Sequence, residues 1–201
     1  TNIMVEKLKS IKPPKLTFGK HESFHIREGW IPKFLSLIKN NPKNIKDKNL
    51  HMLLGIGKNM AISIKHWIVA TKLVNDLKNE IKLTELGDLL YNYDPYLEDT
   101  ASLWVIHINL ATNKDNATTW YWAFNDYMQG PFPFNELDML EELTHYINSQ
   151  GLKTPSINTI KKEFPNSLIF ANKGIYLPSG PSQILSNISK VINTIKSINK
   201  I

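Results

Sequence analysis

Five aromatic side chains crowd into eight positions of this chain: Trp120, Tyr121, Trp122, Phe124 and Tyr127. Few exposed surfaces tolerate that density, so TTWYWAFNDYM, residues 118 to 128, is expected to be one short helix packed inside a core. The segment before it, an expected helix from about Asp99 to Leu110, is nearly apolar all round through Leu103, Val105, Ile106 and Leu110. These two segments define an aromatic helical core at residues 93–130, between an N-terminal unit at 1–92 and a C-terminal unit at 131–201. A chain of 201 residues that is 42% hydrophobic has enough apolar side chains to build such a core.

The flanking units differ in charge. Residues 1–72 carry 14 basic and 4 acidic side chains, and residues 73–201 carry 10 and 14. That asymmetry points to one lobe that meets a polyanion, against the plainer reading of a solvated lysine-rich surface. The absence of cysteine excludes a disulfide framework, a thiolate zinc site and a cysteine nucleophile. The apolar runs are too short to span a bilayer and the first residues do not resemble a signal peptide, so a cytoplasmic protein without a membrane partner is expected.

The expected fold is mainly α with short β-hairpins. Residues 7–20 read as a basic arm around Pro13-Pro14. Trp30 to Ile38 reads as a helix with Pro32 in its first turn, ended by Asn40-Asn41-Pro42. A second helix is expected over Ile45–Leu54, then the turn Gly55-Ile56-Gly57, then a longer helix over Lys58–Leu73. On that helix Met60, Ile64, Trp67 and Ile68 form an apolar stripe, while Lys58, Lys65 and Lys72, seven apart, form a charged one. A hairpin over residues 73–83 follows, and Thr84 is expected to cap the next helix. Helix, helix, turn, basic helix, hairpin is the order of a winged helix-turn-helix. Residues 136–149, 157–164 and 168–177 repeat it as helix, helix, hairpin, a second and more degenerate winged-helix unit, closed by an amphipathic helix over 182–201.

The strings FGKHESFHIREGW, LGIGKNMAISIKHW, LTELGDLL, DPYLEDTASLWVIH and TTWYWAFN resemble a bacterial domain family long catalogued as of unknown function. That family includes SspB-like proteins of DNA-phosphorothioation gene clusters, and related domains occur in other phage-defence clusters. The resemblance spans about residues 18 to 150, more weakly to 177, and the family pattern continues beyond the length of this chain. It implies action on DNA within a sulfur-modification or anti-phage system, with SspB-like members associated with DNA nicking. It implies other proteins of the cluster as partners.

Three constellations are candidates for chemistry. His21-Glu22-x-x-His25-x-Arg27-Glu28 offers bases and positive charge for phosphodiester cleavage, so His21, Glu22, His25 and Arg27 are the candidate catalytic residues. The plainer alternative is a polar loop that salt-bridges the two lobes. Its letters match the zincin H-E-x-x-H, but flanking Gly19 and Gly29 suit a loop as well as a helix. Gly55-x-Gly57-Lys58-Asn59 is not a Walker loop; exposed N–H groups and Lys58 there suit one DNA phosphate. The candidate DNA contacts are Lys20, Lys58, Asn59, Ser63, Lys65, His66 and Lys72. Asp94, Glu98 and Asp99 could hold Mg²⁺, but turn and cap roles suit them better. His107 reads as a core histidine. Whether a metal is bound stays open; a nickase would call for Mg²⁺ or Mn²⁺. The expected function is a DNA-binding component of a phosphorothioation or anti-phage system. A nicking enzyme and a non-catalytic winged-helix recruiting or regulatory module both remain open.

Overall fold

The computed structural model describes residues 15–27, 29–76, 81–130 and 135–164. The expected second hairpin at 168–177, the closing helix at 182–201, Glu28 and most of the basic arm lie outside them. Among the described residues the protein is helical apart from one small antiparallel hairpin. No described helix is long and apolar enough to cross a membrane.

Helix α1 (Trp30–Asn40) buries Trp30, Ile31, Phe34, Leu35 and Ile38 on one face. The helix expected over Ile45–Leu54 is two pieces, a 3₁₀ turn (Pro42–Lys46) and α2 (Leu50–Leu54). Asp47 divides them, because its carboxylate accepts the Asn49 backbone N–H at 2.7 Å and so competes with helical bonding. Gly55, at φ 65°, ends α2; the N–H groups of Gly55 and Ile56 close on the carbonyls of Met52 and His51.

Helix α3 (Lys58–Ala70) is three residues shorter than expected. Its end carbonyls are taken by side chains from far along the chain. Asn113 Nδ2 donates to Ala70 O and Asn109 Nδ2 to Thr71 O, both at 2.8 Å. Lys72 then adopts a left-handed φ of 58° and sends the chain into the hairpin. Strands β1 (Val74–Asp76) and β2 (Ile81–Leu83) pair Val74 with Leu83 and Asp76 with Ile81.

Thr84 caps α4 (Glu85–Tyr93) by accepting the Gly87 N–H at 3.0 Å. Gly87 itself is required by close approach: a Cβ there would lie 2.1 Å from Leu73 O. Asp99 caps α5 (Thr100–Ala111), and α6 (Thr118–Asn125) carries the aromatic run. Asn135 caps α7 (Glu136–Ser149), and Ser156 caps the short α8 (Ile157–Lys161).

Two apolar cores result. The first gathers α1 to α5 around Phe34, Leu35, Ile64, Ile68 and Leu110. The second joins Trp122, Tyr127, Met139, Leu143, Ile147, Ile160 and Phe164, with Leu16 and Phe18 against them. Helix α6 is the shared wall. Its Trp120 packs on the first core and its Trp122 is buried in the second. The N-terminal strand of chain is pinned to the start of α6, Thr17 N–H donating to Thr118 Oγ1 at 2.8 Å and Thr17 Oγ1 to Asp115 O at 2.7 Å.

Candidate functional site

After that strand the backbone makes a tight turn at His21–Phe24. Glu22 and Ser23 take left-handed φ values of 51° and 69°, and the Phe24 N–H closes on His21 O at 2.8 Å. Consecutive non-glycine residues in that region are uncommon and strained. The turn also removes the helix on which an i, i+4 histidine pair would share a face. His21 therefore points inward at 3% exposure, whereas His25 and Arg27 are exposed and Glu22 is half-buried. The Arg27 guanidinium lies over the Phe24 and Trp30 rings at 5.7 and 5.6 Å. His21, Glu22, His25 and Arg27 do not converge.

His21 meets other residues instead. Its Nε2 is 3.1 Å from Glu163 Oε1, with Glu163 7% exposed. A buried carboxylate must be compensated, and Glu163 has two further donors. The Gly19 N–H reaches Oε1, and the Thr119 hydroxyl reaches Oε2 at 2.9 Å. The His21 ring stacks on Trp67 at 5.5 Å between centroids, and the His66 ring is 6.1 Å from that of His21. Burial, then His21 and Lys20, push the His66 pKa down to about 4 against the opposing pull of Glu163. At neutral pH His66 is thus uncharged, with one nitrogen a donor and the other an acceptor.

These side chains line a cavity of about 50 Å³, bounded by Lys20, His66, Trp67, Asn116, Trp120 and Phe124 above the His21–Glu163 pair. Its walls are mostly apolar and include the rings of Trp67, Trp120 and Phe124, and Lys20 at its edge is exposed.

Helix α3 divides the expected DNA-contact residues between two edges. Ser63 is fully buried and its hydroxyl donates to Phe24 O at 3.2 Å; Trp67 Nε1 donates to the same carbonyl at 2.8 Å. Ser63 accordingly faces the interior and not solvent, a correction to the expected DNA-facing edge, because the loop at Phe24 occupies that side; His66 is half-buried and lines the cavity. Lys58, Asn59 and Ile62 are exposed on the outer edge, and Lys65 is half-buried beside them. Lys72 is exposed after the helix and donates to Thr112 Oγ1 at 3.3 Å. Burial holds the Lys65 and Lys72 ammonium groups below the usual lysine range.

Two of the acidic trio, Asp94 and Asp99, serve a turn and a helix cap. Asp94 accepts the N–H groups of Glu98 and Asp99 at 2.9 and 3.1 Å, and Asp99 accepts that of Ala101 at 2.8 Å. Slight burial would raise the Asp94 pKa, but hydrogen bonds from Ser102 and the turn backbone hold it below the usual carboxylate range. His107 accepts from Trp120 Nε1 at 3.4 Å and packs T-shaped with Phe124, ring centroids 4.6 Å apart, and burial lowers its pKa. Among the described residues no group of three or more His, Asp or Glu side chains is placed to hold a metal ion.

Glu163, Thr119 and Asn116 escape the sequence reading. The available signal was weak: Glu163 is an acid at a position flanked by Ile160 and Phe164, both fully buried.

The family model described as "Protein of unknown function (DUF4007)" matches residues 18–169. Among solved structures, a magnesium ion-bound SspB is similar with a TM-score of 0.64 and 28% identity, over 73% of this chain and 46% of the SspB chain. A second SspB structure has a TM-score of 0.63 and 28% identity, over 73% of this chain and 47% of its own. This chain spans slightly less than half the length of those SspB chains. No curated protein matches.

Proposed function

We propose that this chain, which belongs to the DUF4007 family of proteins of unknown function, is a DNA-binding component of a bacterial phosphorothioation or anti-phage system. The similarity to SspB supports the setting. One observation carries the DNA contact. Helix α3 follows a glycine turn, precedes the hairpin and exposes Lys58 and Asn59, and no acidic residue falls between Lys58 and Lys72. In a winged-helix arrangement that outer edge enters the major groove and the hairpin, with exposed Lys82, lies along the backbone. Lys20, Lys58, Asn59, Lys65 and Lys72 are the contacts; other proteins of the defence cluster are the partners.

Binding to a labelled duplex, followed by anisotropy over a salt series, tests this. Each of Lys58→Ala and Lys65→Ala should lower affinity and reduce the log–log salt slope by about one. Affinity unchanged in both would end the winged-helix reading.

The His21–Glu163 pair supports a second reading, a nickase in which Glu163 orients the His21 imidazole and His21 accepts the proton of the attacking water. Glu22, His25 and Arg27 would act there only if the turn rearranged on DNA, and Mg²⁺ or Mn²⁺ would be supplied between protein and phosphate. A plasmid-nicking assay with either metal should then lose activity in His21→Ala and Glu163→Gln. Nicking that persists in both removes the pair from catalysis.

A further inference from the structure

The inward edge of α3 and the aromatic helix α6 enclose groups that the proposed DNA-docking edge does not use. Asn116 makes no side-chain hydrogen bond and His66 makes none through its ring, among the described residues, although both line the cavity. Lys20, at the edge, likewise has no hydrogen-bond partner. The other lining includes the rings of Trp67, Trp120 and Phe124, with Ala117, Ala123 and the hydroxyl-bearing Thr119.

We propose that this cavity receives one unstacked nucleobase, ring against Trp120 and Phe124, edge read by Asn116 and His66, with Lys20 on the attached phosphate.

Size, wall chemistry and polar placement agree. The cavity of about 50 Å³ has room for roughly three or four waters, or about 100 Å³ of liquid, close to one pyrimidine ring. A bare oxyanion would find few donors there, whereas aromatic walls with a few convergent polar groups are what a flat heterocycle needs. An amide side chain presents a donor and an acceptor side by side, the pattern that pairs with a base edge. A neutral imidazole presents one of each as well, and burial keeps His66 in that form. The His21–Glu163 pair forms the floor, its carboxylate oxygens already engaged by His21, the Gly19 N–H and the Thr119 hydroxyl. A base in a duplex cannot reach such a pocket without leaving the stack, so the ligand is a single strand, a nick or a flipped nucleotide.

This inference rests on the DNA-binding proposal, but a separate experiment decides it. Tryptophan emission is followed during titration with dCMP, dTMP, dAMP and inorganic phosphate, and with a short single-stranded oligonucleotide. Saturable quenching by the pyrimidine nucleotides and the oligonucleotide, and none by phosphate, is expected. Asn116→Ala removes a side chain with no hydrogen-bond partner, so it should leave folding intact and weaken that binding roughly five- to a hundredfold. Lys58→Ala should leave mononucleotide quenching unchanged. Quenching by no nucleotide, or equal quenching in wild type and Asn116→Ala, overturns the base site. If duplex binding still depends on Lys58 in that case, the DNA-binding proposal survives; if neither signal exists, both fail.

Discussion

The two apolar cores are built differently. The first runs from Trp30 to Ala117 and joins elements that follow one another along the chain. The second joins Leu16 and Phe18 to Ile160 and Phe164, so it closes only when distant parts of the chain meet. Contacts of the first kind cost little loop entropy, whereas the second kind must first bring far segments together. The cavity lies on this boundary, because α6 faces both cores and the His21–Glu163 pair crosses between them. A site at such a seam can be shaped by either side.

The largest effect separates or unites the cores. Phe34 and Phe164 are both fully buried, one in each core. Each change to Ala should cost about 3–5 kcal/mol in urea unfolding. Because Thr17, Thr118, His21 and Glu163 link the cores, tryptophan fluorescence and far-UV circular dichroism should fall together in both variants. An early, separate fluorescence transition confined to Phe164→Ala would show the second core unfolding alone.

A smaller effect belongs to the seam. His66 titrates at about 4 in the folded chain and near 6.5 when unfolded. Between those values the unfolded state binds more protons, so stability rises with pH across that window and is complete above it. The span corresponds to a loss on the order of 3 kcal/mol on acidification, with Glu163 opposing and His21 and Lys20 adding to it. Urea midpoints measured from pH 7 to 4.5 should fall less in His66→Gln than in wild type. Parallel curves would remove His66 as the source.

The smallest effects compare helix caps. Thr84 caps α4 beside the first core and Ser156 caps α8 beside the second. Replacement by Ala should cost about 1 kcal/mol at Thr84. It should cost less at Ser156, where α8 has only five residues and the cap bond is longer, 3.3 Å against 3.0 Å. A larger loss at Ser156 would mean that α8 holds the second core together more than its length suggests.

Much of the helical framework was legible because its signals are local. Thr84, Asp99 and Asn135 each cap the helix expected after them, and the Met60, Ile64, Trp67, Ile68 stripe faces the core. Asp94-Pro95 forms its turn. What failed depended on competition or distance. Asp47 divides a helix by offering a nearer acceptor, and Asn109 and Asn113 take the end carbonyls of α3 from far along the chain. The His21 motif was visible as letters, but two left-handed residues turn His25 outward and leave His21 to pair with Glu163.

The sequence alone determined where most of the helices begin and that α6 packs into a core, since capping, periodicity and aromatic density act over a few residues. Tertiary structure alone decided which edge of α3 stays in water and which polar side chains share the cavity. Burial and charge compensation there join His21, His66, Asn116 and Glu163, and no local pattern encodes a meeting of groups so far apart in the chain.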